Sequence, residues 1–145
     1  MAQWIETKLR YNKVMENVAV KKVTEPYLVD ALSFTEAEAR ITEEMRSYIS
    51  GEFSVSAAKK QKITEVLDDC EGDRWYKVRA MFISIDEKNG SEKKMPHDYI
   101  VRAFNIEDAI INFKSEMNLM VDYELSAVAE TPIMDVFHAD LSNNR

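Results

Sequence analysis

Apolar and polar residues alternate in two stretches of the chain, WIETKLRY at residues 4–11 and WYKVRAMF at residues 75–82. A period of two places every second side chain on the same face and is typical of a half-buried β-strand. Each stretch opens with a tryptophan. The apolar faces carry Ile5, Thr7, Leu9 and Tyr11 in the first stretch and Tyr76, Val78, Ala80 and Phe82 in the second. Both stretches are therefore predicted to be strands.

The residues that follow the two strands repeat each other. Residues 93–110, KKMPHDYIVRAFNIEDAI, align with residues 21–38, KKVTEPYLVDALSFTEAE, at a shift of 72. Each aligned stretch contains a further strand, which we expect to return from the leading strand as a hairpin. In the later copy Asn89-Gly90 supplies the positive φ that a tight hairpin turn needs, and the earlier copy turns around Glu16-Asn17.

A helix start follows each hairpin. Ser33 with Glu36, and Asn105 with Asp108, have the spacing of an N-terminal capping box. Apolar residues then recur in both copies at spacings of 3, 4, 4 and 3, which defines one helical face. They are Phe34, Ala37, Ile41, Met45 and Tyr48 in the first copy and Ile106, Ala109, Phe113, Met117 and Met120 in the second. Ser50-Gly51 is expected to end the first helix.

A third strand is predicted after each helix, because residues 53–67 align with residues 123–137 at a shift of 70. Pro132 removes a backbone donor, so the later strand is expected to lie at a sheet edge or to contain a bulge. The chain is thus predicted to be a tandem duplication of a strand–strand–helix–strand unit. The repeats cover about residues 4–67 and 75–137, joined by an acidic linker at 68–74.

The predicted fold class is α+β, with residues 1–145 forming a single domain. A unit of three strands and one helix buries little apolar surface alone, so we expect the two repeats to share a core. The expected arrangement is an antiparallel sheet with both helices on one side and a pseudo-twofold axis between the repeats. The repetition is a solution to folding and need not be a functional one.

The composition indicates a soluble globular protein. The chain has 145 residues, of which 46% are hydrophobic and 31% charged. No apolar run is long enough for a membrane span, and the N-terminus lacks the apolar region of a secretory signal. The single cysteine, Cys70, excludes an internal disulfide and fits a reducing compartment. The sequence therefore predicts a cytoplasmic protein with no membrane partner.

The chain as a whole resembles an uncharacterised small-protein family of Bacteroidota and their phages, a domain of unknown function. The stretches that carry this resemblance are KKVTEPYLVDALSFTEAEARITEEM, YISGEFSV, DRWYKV and AETPIMDVF. The family has no established activity or catalytic residues. The resemblance implies a bacterial or phage setting in the cytoplasm.

The sequence contains no pattern typical of catalysis. Three glycines cannot form the usual phosphate-binding loops, and neither a Gly-x-Ser-x-Gly elbow nor a Cys–His pairing is present. The acidic surroundings of Cys70 disfavour a thiolate. The linker sequence DDCEGD lacks the spacing of a calcium loop, and His97 and His138 are interpreted as surface residues. We therefore predict a non-enzymatic binding protein with no catalytic residues, no metal and no cofactor.

One group of residues indicates a ligand: tryptophans and cations on the predicted outward face of the strands. An open sheet that bears aromatic rings among cations is how single-stranded nucleic acid is often held, with bases stacked on rings and Lys or Arg on phosphates. The predicted contact residues for single-stranded DNA or RNA are Trp4, Lys8, Arg10, Lys59, Lys60, Lys62, Trp75, Lys77 and Arg79. The net charge of −7 is compatible with this because acidic residues are concentrated in other segments.

Three alternatives stay open. The tryptophans can cover the edge of a core, and strand lysines can protect sheet edges from aggregation. The same face or a sheet edge can bind a protein partner, as in a phage or host regulator, and two copies can pair as a homodimer through free edges. A small anionic ligand such as a nucleotide can occupy a groove on the pseudo-axis.

Overall fold

The computed structural model describes residues 3–17, 19–117 and 122–139. These residues form two helices and eight strands. In chain order the elements are β1 (Trp4–Val14), β2 (Val20–Asp30), α1 (Phe34–Met45), β3 (Phe53–Gln61), β4 (Glu65–Leu67), β5 (Arg74–Ile85), β6 (Glu92–Ala103), α2 (Ile106–Glu116), β7 (Asp122–Glu130) and β8 (Val136–Phe137).

The chain divides into two compact units. Unit 1 comprises residues 1–62 and 132–145, and unit 2 comprises residues 63–131. Each unit contains one four-stranded sheet, with the order β3-β1-β2-β8 in unit 1 and β4-β6-β5-β7 in unit 2. The three long strands of each sheet pair antiparallel, whereas the short strands β8 and β4 pair in parallel with β2 and β6. The predicted α+β class is confirmed.

The fourth strand of each sheet comes from the end of the other predicted repeat. The predicted third strand at residues 53–67 is two strands, of which β3 remains in unit 1 and β4 pairs with β6 in unit 2. The segment at residues 123–137 behaves in the same way, since β7 lies in unit 2 and β8 pairs with β2 in unit 1. Pro132 lies between β7 and β8. The prediction of a purely antiparallel sheet omitted these exchanged strands.

In unit 1 the alternation of β1 places its apolar side chains against α1, as predicted. Ile5 and Leu9 pack with residues of β2 and with Ala37 and Ile41 of the helix. The Thr7 side chain is fully buried on the same face, and its hydroxyl donates a hydrogen bond to the Tyr27 carbonyl at 3.1 Å. Burial of each large aliphatic side chain stabilises the fold by about 1.5–3 kcal/mol.

Unit 2 has a corresponding core. Val78, Tyr99 and Val101 of the central strands pack against Phe113 of α2. The Tyr99 and Phe113 rings meet edge to face, with centroids 5.1 Å apart. A smaller cluster joins Tyr76 to Ala109 at the start of the helix.

Both helix starts are capped as the sequence predicts. The Ser33 hydroxyl accepts a hydrogen bond from the Glu36 amide at 3.1 Å, and the Asn105 side chain accepts one from the Asp108 amide at 2.7 Å. The helix ends differ from the prediction, because α1 ends at Met45, before Ser50-Gly51. Met120, predicted on the apolar stripe of α2, lies outside the described residues.

Residues 86–91 connect β5 to β6, and the Asp86 amide donates a hydrogen bond to the Ser91 carbonyl at 2.8 Å, which leaves a loop of four residues, 87–90. Gly90 has φ +70°, which confirms the predicted positive φ. However, Ile85 pairs with Glu92, so the loop is longer than the two-residue turn typical of Asn-Gly. The longer loop shifts every cross-strand pair of this hairpin, and the shift determines which charges face each other.

Candidate nucleic-acid interface

In each unit the sheet face opposite the helix carries the predicted contact residues, those of β1 in unit 1 and those of β5 in unit 2. The end of that face that bears the tryptophan is buried. Trp4 is 4% exposed and Trp75 is 5% exposed. Leu28 and Ile100, on the same faces of the neighbouring strands, are also buried. The expectation that the two rings are available to stack on bases is therefore wrong.

Each tryptophan ring has a neighbour within its own unit. The His138 ring meets Trp4 edge to face at a centroid distance of 5.1 Å. The guanidinium of Arg102 lies 5.6 Å from the centroid of the Trp75 ring. Arg102 also donates a hydrogen bond from Nε to the Gly72 carbonyl at 3.0 Å, which ties the acidic linker to the sheet. The rings are part of the packed structure and do not form an open platform.

The cations of unit 2 on this face are neutralised by carboxylates. Asp98 accepts hydrogen bonds from Nε and Nη2 of Arg79 at 2.8 and 3.1 Å, and Lys77 Nζ lies 3.5 Å from its Oδ2. The hydrogen bonds from Arg79 hold the pKa of Asp98 below its ordinary value. Lys94 is paired in the same way with Glu124, at 2.8 Å. Lys77 and Arg79 therefore make poor phosphate ligands.

The cations of unit 1 on the equivalent face form no ion pair with any residue that the structure describes. Lys8, Arg10, Lys22 and Lys59 are exposed, and none lies within 4.0 Å of a carboxylate in the described chain. We call these four residues the basic face. In the register of the sheet, Lys8 lies opposite Pro26 and Ala57, and Arg10 lies opposite Thr24 and Ser54. None of these neighbours can neutralise a positive charge.

The three lysines near the end of β3 do not act together. Lys59 pairs with Glu6 in the register and shares the face of Lys8 and Arg10, although the two side chains form no ion pair. Lys60 pairs with Ile5 and therefore lies on the helix side of the sheet. Lys62 follows the end of β3. Of the three predicted contacts, only Lys59 lies on the basic face.

The charge of the molecule is distributed unequally between the units. Unit 1 contains 11 Lys and Arg and 11 Asp and Glu, so it is electrically balanced. Unit 2 contains 8 Lys and Arg and 15 Asp and Glu, which accounts for the whole net charge of −7. A polyanion is therefore repelled by unit 2 far more than by unit 1.

On the helix side of the unit 1 sheet is a group that the sequence reasoning missed. Glu25 accepts hydrogen bonds at one oxygen from the hydroxyls of Tyr11 and Tyr27, at 2.7 and 3.2 Å. A signal for it was present, because Glu25 alternates with Val23, Tyr27 and Val29 and is thus a carboxylate at a core-facing position. Burial, together with the hydrogen bond to Glu25, raises the pKa of Tyr11 to about 12.

The remaining candidates have local structural partners. The Cys70 thiol lies 3.8 Å from a carboxylate oxygen of Glu116, and burial and that carboxylate raise its pKa, which disfavours the reactive thiolate. His97 stacks on Phe82 at 4.1 Å and is half-buried. In the described ranges no group of three His, Cys, Asp or Glu side chains is arranged to hold a metal ion. No helix in this part of the chain is long and apolar enough to cross a membrane.

Comparison with known proteins places the chain in a family. The model of a domain of unknown function, DUF4494, matches residues 3–139, nearly the whole length, so the chain belongs to that family. No curated protein matches the chain. No solved structure matches it either.

Proposed function

We propose that this chain is a non-enzymatic binding protein that holds single-stranded nucleic acid on the basic face of unit 1, through phosphate contacts. One observation carries the proposal. Lys8, Arg10, Lys22 and Lys59 are exposed and have no carboxylate partner in the described residues, whereas Arg79 and Lys94 of unit 2 are held in ion pairs. An unpaired cation loses no protein partner when it binds a phosphate.

The mode of binding follows from the geometry. Cations two residues apart on one strand are separated by about 7 Å, and neighbouring strands by about 5 Å, so a flexible single strand can adapt to them. The buried tryptophans contribute no stacking. Binding therefore depends on charge, and we expect it to be insensitive to base sequence and to weaken as salt is added.

The experiment is fluorescence anisotropy of a labelled oligothymidylate at low salt. The test variant combines Lys8→Gln, Arg10→Gln and Lys59→Gln. The matched control combines Lys88→Gln, Lys93→Gln and Lys114→Gln, three exposed lysines of unit 2, so both proteins lose three positive charges. The test variant should lose most of its affinity and the control should keep it. Equal losses of affinity in the two variants would mean that binding depends only on net charge, and the assignment of the interface to the basic face would be wrong.

A second candidate is a protein partner that adds a strand to β3. This strand has nine residues and lies at the edge of the unit 1 sheet, with no strand of the described chain on its outer side. An exposed edge of this length offers unpaired backbone groups to an extended peptide or to a second copy of the chain. Substitution of Ala58 or Lys60 by Pro separates this function from nucleic-acid binding, because the backbone amides of these two residues point away from β1. Proline there blocks strand addition and leaves the basic face in place.

The proposed setting is the cytoplasm of a bacterium or of a phage-infected bacterium. The single cysteine supports a reducing compartment. Co-purification of the tagged chain from such cells, with and without nuclease, distinguishes bound nucleic acid from a protein partner.

A further inference from the structure

Unit 1 contains a cleft that is separate from the basic face. It lies on the helix side of the sheet, past the end of α1, and has a volume of about 320 Å³. Its walls are formed by Tyr11, Glu25 and Tyr27 of the sheet, Tyr48 from the turn after α1, and Asp135 and Phe137 near β8. This volume is at the lower end of the range for small-molecule sites. We call it the tyrosine cleft.

Glu25 has accepting capacity that no other group in the described residues uses. Its side chain is only 12% exposed, and both tyrosine hydroxyls donate to the same oxygen, Oε1. Its other oxygen, Oε2, lies 3.9 Å from Lys13 Nζ, which is too far for a hydrogen bond. A carboxylate accepts about four hydrogen bonds, so Oε2 can accept from a ligand.

The charges at the cleft favour a cation. Glu25 and Asp135 are acidic, and Lys13 is the one basic side chain among the lining residues that the structure describes. The pKa of Tyr27 is raised mainly by burial and then by the charge of Glu25. The nearby carboxylate of Asp135 raises it further. Both tyrosines are therefore neutral at physiological pH and donate to Glu25. An anionic ligand would meet two carboxylates, whereas a cation would relieve their repulsion.

The walls suit the body of such a ligand. The Tyr27 and Phe137 rings are stacked with centroids 6.0 Å apart, and Met45, Ile49 and Met134 add apolar surface. Aromatic faces beside carboxylates attract ammonium groups by cation–π interaction. From this arrangement we propose that the tyrosine cleft binds a small organic cation, an ammonium group attached to an apolar or aromatic body. This site is independent of nucleic-acid binding, because it lies on the opposite face of the sheet.

The probe is benzyltrimethylammonium, whose charge does not depend on pH and whose ring shifts nearby nuclear resonances. Methionine methyl groups labelled with ¹³C report on its position, since Met45 and Met134 line the cleft whereas Met81 and Met95 lie in unit 2. We expect saturable shifts of the Met45 and Met134 methyl signals and none of the other two. Phenylacetate, an anion of similar size, should leave all four signals unchanged.

Two substitutions change the affinity in opposite directions. Glu25→Gln removes the central charge and should abolish saturation. Lys13→Gln removes the competing cation, at an exposed position where folding is not at risk, and should strengthen binding by about two- to fivefold. The proposal would be overturned if Lys13→Gln bound the probe more weakly than the wild type, or if millimolar probe gave no saturable shift. It would also be overturned if phenylacetate bound more tightly than benzyltrimethylammonium, or if neutral benzyl alcohol bound equally well.

Discussion

Asp98 lies opposite Arg79 in the β5–β6 pair, at the place where Pro26 lies opposite Lys8 in the β1–β2 pair. Asp98 and Pro26 are 72 positions apart, which is the shift at which residues 93–110 align with residues 21–38. The carboxylate of Asp98 forms ion pairs with both Arg79 and Lys77, whereas Pro26 offers Lys8 no charge, and no carboxylate of the described residues pairs with Lys8. Together with the Lys94–Glu124 pair, this difference leaves the cations of the unit 2 face in ion pairs, whereas the cations of the basic face have no carboxylate partner in the described residues.

Asp98→Asn should destabilise the protein by about 1 kcal/mol at neutral pH, because Arg79 loses a two-point ion pair with a carboxylate that is 13% exposed. Urea unfolding followed by circular dichroism measures this difference. Asp69→Asn, an exposed carboxylate with no ion pair in the described structure, serves as the control and should be neutral. An unchanged midpoint in Asp98→Asn would mean that the pair contributes nothing.

The same pair gives a pH dependence. Arg79 holds the pKa of Asp98 below its ordinary value of 3.8, so the stabilisation is fully present above that value and is lost as pH falls through the lower pKa of the folded state. The stability gap between wild type and Asp98→Asn should therefore be constant from pH 7 to about 5 and close below 3.8. Unfolding curves at a series of pH values test this; a gap that widens in acid would contradict the ion pair.

Trp4→Ala should destabilise unit 1 by about 3–5 kcal/mol, because it removes a buried indole from a position that is 4% exposed. The readout is the urea midpoint. Arg10→Ala, at an exposed position on the same strand, should leave the midpoint nearly unchanged. A Trp4→Ala protein with wild-type stability and lost oligonucleotide affinity would instead support a stacking role for the ring.

Thr24→Glu should weaken oligonucleotide binding by about two- to fivefold, the contribution of one exposed charge pair. Thr24 is exposed and lies opposite Arg10, so the new carboxylate neutralises a cation of the basic face. Ser115→Glu, on the exposed surface of α2, adds the same charge in unit 2 and should have little effect. Equal effects of the two substitutions would place the nucleic acid elsewhere.

Gly72→Ala should cost about 1–3 kcal/mol of folding free energy. A Cβ atom at Gly72 would lie 2.4 Å from the Ala103 amide nitrogen, and a backbone atom cannot move aside as a flexible side chain can. Glu71→Ala, at the exposed neighbouring position, is the control. Equal stability of the two variants would show that the linker does not pack against β6.

The local features of the fold followed from the sequence. Alternation in β1 and β5 and the caps at Ser33 and Asn105 depend on residues within one turn or one strand, so each could be predicted from a short window. The exchanged strands β4 and β8 could not. They contain three and two residues, and their pairing with β6 and β2 depends on distant parts of the chain.

The candidate site was predicted only in part, for two physical reasons. Alternation assigns Trp4 to a face, but it does not reveal whether that face is covered. The pairing of Arg79 with Asp98 depends on the register of the hairpin, and a two-residue Asn-Gly turn would have placed Arg79 opposite Ile100 instead. The observed four-residue loop creates the ion pair that removes Lys77 and Arg79 from the predicted interface.

The most direct test of the basic face is the salt dependence of oligothymidylate binding, measured as the slope of log K against log salt concentration. Each phosphate contact on a single strand contributes about 0.7 to the slope, so loss of three contacts in the Lys8, Arg10 and Lys59 variant should reduce it by about 2. The Lys88, Lys93 and Lys114 control should keep the slope of the wild type. Equal slopes in all three proteins, or no binding by the wild type at low salt, would contradict the proposed interface.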